Sequence, residues 1–216
     1  YRGTVKARLS CEGFPPDELD ELERTDASLI PRVEWPMPER FANLADGDEL
    51  RYGGYRMRAV DTPGHTPGHQ CLYLPDQKVM FYGDHLLMNS SPNMAPFPGE
   101  ADSLGDYLRS LDKVAQLPVE FACMGHGFVD PRRQAEAMPE RIAWLQRHHR
   151  QRLDEIAAQL EERPGMTGTE LAKSITWNIP HAAWEEIPII QRWIVVCETL
   201  AHLDHLMGEG RVRRER

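Results

Sequence analysis

Three apolar runs in this chain each end in a short turn followed by a side chain able to bind a metal, and this repetition constrains the fold more than any other feature. The first run leads into Asp61-Thr62-Pro63-Gly64-His65-Thr66-Pro67-Gly68-His69, which doubles the unit Thr-Pro-Gly-His. Each Pro-Gly pair favours a tight turn, because Pro presets φ and Gly tolerates positive φ. The second, Val79-Met80-Phe81-Tyr82, enters Gly83-Asp84, and the third, Phe121-Ala122-Cys123-Met124, enters Gly125-His126. A sheet whose strand ends carry His65, Asp84 and His126 to one place is the architecture this pattern predicts.

The rest of the chain supplies elements at matching spacing. Residues 1–50 hold Pro15-Pro16, Pro31, Pro36 and Pro38 among acidic residues, with one short helix expected at about 16–24, and read as connecting structure outside the core. The chain opens at Tyr1 without a start signal and reads as a fragment, a processed chain or an incompletely represented protein. The Asp46-Gly47 turn precedes strands expected around Leu50–Tyr52 and Tyr55–Val60. Pro75-Asp76-Gln77 separates two more in a hairpin, at about 70–74 and 78–82. The Asn-, Ser- and Pro-rich stretch Met88–Glu100 follows Asp84 directly and reads either as a pocket wall or as a plain surface loop. Asp102 or Ser103 caps a helix carrying Leu104, Leu108, Leu111 and Ala115, which Pro118 ends. From Pro139 a long helix is expected through Ile142, Leu145, His149, Leu153, Ile156 and Leu160. A capping box at Thr167 and Glu170 then opens a short helix, a third helix covers about 189–207, and Arg211–Arg213 reads as strand-like. Helices closing on a terminal ribbon suggest a winged-helix-like unit over 138–216, after a first domain over 1–137.

Composition narrows the partners. A net charge of −9 over 216 residues supplies no general attraction to nucleic acid or anionic lipid, and residues 140–216 balance 11 basic against 12 acidic side chains. No apolar run approaches a membrane span, no signal peptide is visible, and four widely spaced cysteines form no Cys-x-x-Cys pair, so a cytoplasmic location is expected. Trp177, Trp184 and Trp193 offer apolar surface for docking on the first domain or on a second subunit as a homodimer.

Imidazole nitrogen from His65 and His126 with carboxylate oxygen from Asp84 suits zinc, and also iron or manganese. The three lie too far apart in sequence for a local motif, so the fold must assemble them. His69 reads as support for the turn, and His85 either faces the pocket or packs. His148, His149 and the His202-Leu203-Asp204-His205 stretch read as packed or solvated helix faces.

The wording of the motifs goes further. Thr62 to His69, Gly83-Asp84-His85-Leu86-Leu87 and Gly125-His126-Gly127 together resemble the second half of the metallo-β-lactamase superfamily, over residues ~44–130. The resemblance implies an α/β fold, the αββα sandwich, of which this chain represents the C-terminal half. It implies a dinuclear site of two zinc ions, with His65 on one metal, Asp84 bridging both as the central catalytic group, and His126 on the second. It implies attack by metal-activated hydroxide on a small-molecule thioester, ester or lactone, nearer the glyoxalase-II-like enzymes than the antibiotic-degrading ones. The superfamily's His-x-His-x-Asp-His signature would precede His65, and residues 1–64 contain no histidine. Two alternatives stay open: an endoribonuclease or phosphodiesterase on the same scaffold, against which the acidic balance counts, and a non-catalytic interaction module derived from such a hydrolase.

Overall fold

In the computed structural model, residues 2–29, 42–127, 129–179 and 183–215 are described. Five strands form one sheet in sequence order: β1 (Glu49–Tyr52), β2 (Tyr55–Asp61), β3 (Gln70–Leu74), β4 (Val79–Gly83) and β5 (Phe121–Met124). The first three pairings are antiparallel, and β5 runs parallel to β4. Since β2 and β4 are each antiparallel to β3, the carboxyl ends of β2, β4 and β5 share one edge. That topology lets three sequence-distant strand ends meet.

Strand alternation divides the sheet into two unlike faces. Val60, Cys71, Tyr73, Met80, Tyr82 and Ala122 point into a core closed by α3 (Ser103–Ala115), α4 (Pro131–Glu162) and the carboxyl half of α6 (Ile189–Gly208). The other face carries Leu72 opposite Phe81, Phe81 beside Cys123, and Val79 beside Phe121. These side chains are apolar yet incompletely covered, with Phe81 46% exposed.

Several expectations hold and several need correction. Asp102 caps α3 by accepting from the Gly105 amide at 2.8 Å, and the Thr167–Glu170 capping box opens α5 (Gly168–Ser174). The long helix begins at Pro131, not Pro139. Asp130 caps it and Pro131 occupies the first turn, where the missing N–H costs nothing, while Pro139 is absorbed inside the helix. Residues 211–215 form no strand. The Arg211 amide donates to the Leu206 carbonyl at 2.9 Å, so the segment folds back onto the end of α6, and Arg211 pairs with Asp154.

The amino-terminal region departs most from expectation. Instead of connecting structure it forms α1 (Arg2–Cys11) and α2 (Pro16–Leu29), longer than the short helix foreseen at 16–24. Val5, Leu9, Phe14 and Leu19 are buried against Val195, Val196 and Leu200 of α6. Ion pairs Arg8–Asp204 and Arg192–Glu18 fasten the same contact. Four apolar residues scattered among charged and polar ones give little local signal, and their partner is a helix nearly two hundred residues away. Pro31, Pro36 and Pro38 lie outside the described residues. No described helix is long and apolar enough to cross a membrane.

Candidate metal centre

The doubled motif is folded by α3. Ser110 donates its hydroxyl to the Pro63 carbonyl at 2.9 Å, and Lys113 reaches the Asp61 carbonyl at 2.9 Å and Asp46 at 2.6 Å. Gly64 takes a positive φ of 138° and lies directly against Tyr107 of α3. Gly68, expected to play the same part in the second repeat, does not use positive φ and faces open space. The two Pro-Gly units are therefore not equivalent: the first is wedged against a helix and the second is exposed. The loop closes where the Thr62 amide donates to the His69 carbonyl at 2.9 Å and the Thr62 hydroxyl bonds His69 Nδ1 at 2.7 Å.

This fold aims His65 at the sheet edge. Its Nδ1 lies 2.8 Å from the backbone carbonyl of Asn93. A carbonyl can only accept, so Nδ1 carries the hydrogen and Nε2 presents a lone pair, the tautomer that ligates a metal. That lone pair stands 3.8 Å from Asp84 Oδ2, while His126 Nε2 stands 3.1 Å from Asp84 Oδ1. Each oxygen of one carboxylate thus faces a different imidazole. The glycines make this approach possible. A Cβ on Gly125 would lie 2.8 Å from Asp84 Oδ1 and from the Gly83 carbonyl, and one on Gly83 would lie 2.9 Å from His69 Nε2. The Gly125 amide donates to the Gly83 carbonyl at 2.9 Å, tying the two strand ends together.

The three expected residues are thus brought together, whereas His69 stands behind them as a support. Burial, and then the neighbouring His65, lower the His69 pKa. The donor set fits divalent cations. A lone pair and a carboxylate oxygen 3.8 Å apart are too distant for a hydrogen bond, but they span a cation bound at about 2.0–2.2 Å to each.

Sequence reasoning missed two contributors to this edge. The Asn93 carbonyl acts through the backbone, for which side-chain identity gives no signal. Arg141 of α4 donates to the Leu87 carbonyl at 2.7 Å and the Ser90 carbonyl at 2.6 Å and lies over Trp144, so the loop after Asp84 is pinned from the helical layer. Within that loop Met94 and Ala95 are buried in the two apolar cores, so Met88–Glu100 is not a plain surface loop.

His85 is packed rather than open to the pocket. It is fully buried between His69 and Tyr107, with ring centroids 6.0 and 5.4 Å away, and neither nitrogen has a well-aligned hydrogen-bond partner. Burial pushes its pKa down to about 3, and does the same to His202. In the unfolded chain these rings titrate near 6.5, so the unfolded state takes up protons first as pH falls. Stability is unaffected above about pH 6.5 and is lost on going down toward pH 3, by about 2 kcal/mol per histidine at pH 5. Urea unfolding at about pH 7.5 and 5 should show this slope, and His85→Phe should flatten it by about 2 kcal/mol. An equal slope in wild type and variant would contradict the assignment.

Residues 13–126, more than half of the chain, match the family described as the Metallo-beta-lactamase superfamily. The chain belongs to that superfamily. Among solved structures, a metallo-beta-lactamase family protein from Thermus thermophilus superposes with a TM-score of 0.76 at 30% identity, covering 99% of this chain and 62% of the other. A beta-lactamase domain protein from Burkholderia ambifaria gives 0.77 at 28% identity, covering 98% and 58%. The Beta-lactamase-like protein 2 homolog of Caenorhabditis elegans is 26% identical over 178 residues, 81% of this chain and 56% of that protein. A Hydroxyacylglutathione hydrolase of Cereibacter sphaeroides is 34% identical over 93 residues, 43% of this chain and 34% of that protein. The chain spans about half the length of the curated relatives it matches at greatest extent.

Proposed function

We propose that this chain is the metal-edge portion of a hydrolase that cleaves a small thioester, ester or lactone, with His65, Asp84 and His126 as metal ligands. The observation that carries the reading is the Asp84 carboxylate, whose two oxygens face two different imidazoles at one sheet edge. A pair of divalent cations bound there, zinc or else iron or manganese, would supply activated water near neutral pH and polarise the scissile carbonyl.

The protein's own part is positional. The Asn93 carbonyl holds His65 in the tautomer with Nε2 free, and Thr62 fixes the ring of His69 behind it. Gly83 and Gly125 let the ends of β4 and β5 approach until His126 reaches Asp84. Arg141 holds the Leu87–Ser90 backbone beside the edge, and Met94, buried in the core next to Asn93, anchors the segment that presents the Asn93 carbonyl. A thioester is favoured within the substrate class because relatives named hydroxyacylglutathione hydrolases match this chain. The net charge of −9 argues against RNA. The partly open apolar face around Leu72, Phe81 and Phe121 suits the second sheet of the αββα sandwich. The same face would also serve the interaction-module reading, in which a partner protein covers it.

Offering the protein an acylglutathione thioester, an aryl ester, a lactone and single-stranded RNA separates these readings. Thioester turnover abolished by a chelator and restored by zinc is expected. RNA cleavage, or hydrolysis indifferent to chelation, would overturn the proposal.

A further inference from the structure

Far from the strand ends, between α4 and α6, a second set of ligating side chains converges. His148 and His149 on α4 and Glu198 on α6 each bring one donor atom within 4.8 Å of the other two. The hydrogen bonds around them determine which nitrogen of His149 is free. His202 Nδ1 lies 2.7 Å from the Glu198 backbone carbonyl, which only accepts, so His202 carries its hydrogen there and leaves Nε2 as a lone pair. His149 Nδ1 lies 3.2 Å from that lone pair and must donate to it. Both rings are fully buried, where a charged imidazolium is disfavoured. His149 Nε2 is therefore a bare lone pair, fully buried and without a hydrogen-bond partner.

An orphaned lone pair in a core is unfavourable, and an imidazole whose other nitrogen is tied back to a neighbour is the arrangement seen at metal ligands. We propose that His148, His149 and Glu198 form a second metal site, distinct from the sheet edge, that takes one zinc or a similar first-row divalent cation and clasps α4 to α6. Two imidazoles and a carboxylate match a known zinc donor set, with a fourth position left for water. His148 is only half-buried and provides the entry side. Arg152 supplies the competing positive charge. Its guanidinium lies 3.9 Å over Trp177 and forms its ion pair with Glu155 at 3.6 Å, and its charge also acts on the buried Glu198 carboxyl, so an incoming cation competes with it there. Tyr107 and His202 also face His149, with ring centroids 5.5 and 5.2 Å away.

Zinc titration against a chromophoric chelator tests this in the Asp84→Ala protein, where the edge centre is silenced. One equivalent is expected to bind. Adding His148→Ala or Glu198→Gln should weaken it by roughly 100-fold or more, and His202→Gln by about 10- to 100-fold through loss of the outer hydrogen bond. The His148 change is at a half-buried helix position, so it remains informative if the Glu198 variant fails to fold. Absence of zinc binding by folded Asp84→Ala protein, or equal binding after His148→Ala, would overturn the proposal.

Discussion

Replacing Asp84 with alanine is expected to lower kcat/KM for thioester hydrolysis by about 10³-fold or more, while the far-ultraviolet circular dichroism stays that of the parent. One carboxylate faces both His65 and His126, so its removal leaves two imidazoles with no shared anion between them. A loss of that size corresponds to about 4 kcal/mol of transition-state stabilisation, in the range expected when a group that organises the charge of the reacting centre is deleted. The fold should tolerate the change, because Asp84 sits in the turn after β4, half-exposed, and its ion-pair partners are the two candidate ligands. Asp84→Asn sharpens the test, since it keeps the shape and removes the charge. Turnover within tenfold of the parent in either variant would refute the assigned role.

Gly64→Ala is expected to destabilise the protein by about 3–5 kcal/mol and to abolish activity with it. A Cβ at this position would lie 2.5 Å from Tyr107 Cβ and 2.6 Å from Tyr107 Cα, and φ of 138° is itself unfavourable for alanine. Neither side can retreat. Tyr107 is fully buried, and the Ser110–Pro63 and Lys113–Asp61 hydrogen bonds clamp the loop to α3 on either side of the contact. Displacing the loop would swing His65 away from Asp84. Gly68→Ala is the internal control. It has the same sequence context, open space around it and no positive φ, so it should change stability by less than about 1 kcal/mol. Urea denaturation of the two variants side by side measures the difference. Equal losses would show that the doubled motif acts through composition rather than through its packing on α3.

The contrast between these glycines shows what a sequence can and cannot carry. Turn chemistry is local, so the strand ends at Asp61, Gly83 and Met124 and the residues beyond them were legible from Pro-Gly and apolar-run patterns. So were the Thr167–Glu170 capping box and the helix carrying Leu104, Leu108 and Leu111. The inequality of Gly64 and Gly68 depends on Tyr107, more than forty residues away, and no spacing rule reports it. The burial of Leu9 and Phe14 against α6 was hidden for the same reason. So was the Arg141 grip on the Leu87–Ser90 backbone, which uses main-chain acceptors that every residue type offers. His149 and His202 read as ordinary helix faces because the hydrogen bond that sets their tautomers joins two elements. Distant partners decide these features, whereas the candidate metal edge is legible in residues adjacent to their own turns.

Metal content is the measurement that bears most directly on the central claim. Elemental analysis of protein purified without chelators or added metal should find zinc, iron or manganese, and Asp84→Ala should carry at least one ion per chain less than the parent. Identical metal content in parent and variant, or none in a folded, catalytically active parent, would contradict a metal centre built on His65, Asp84 and His126.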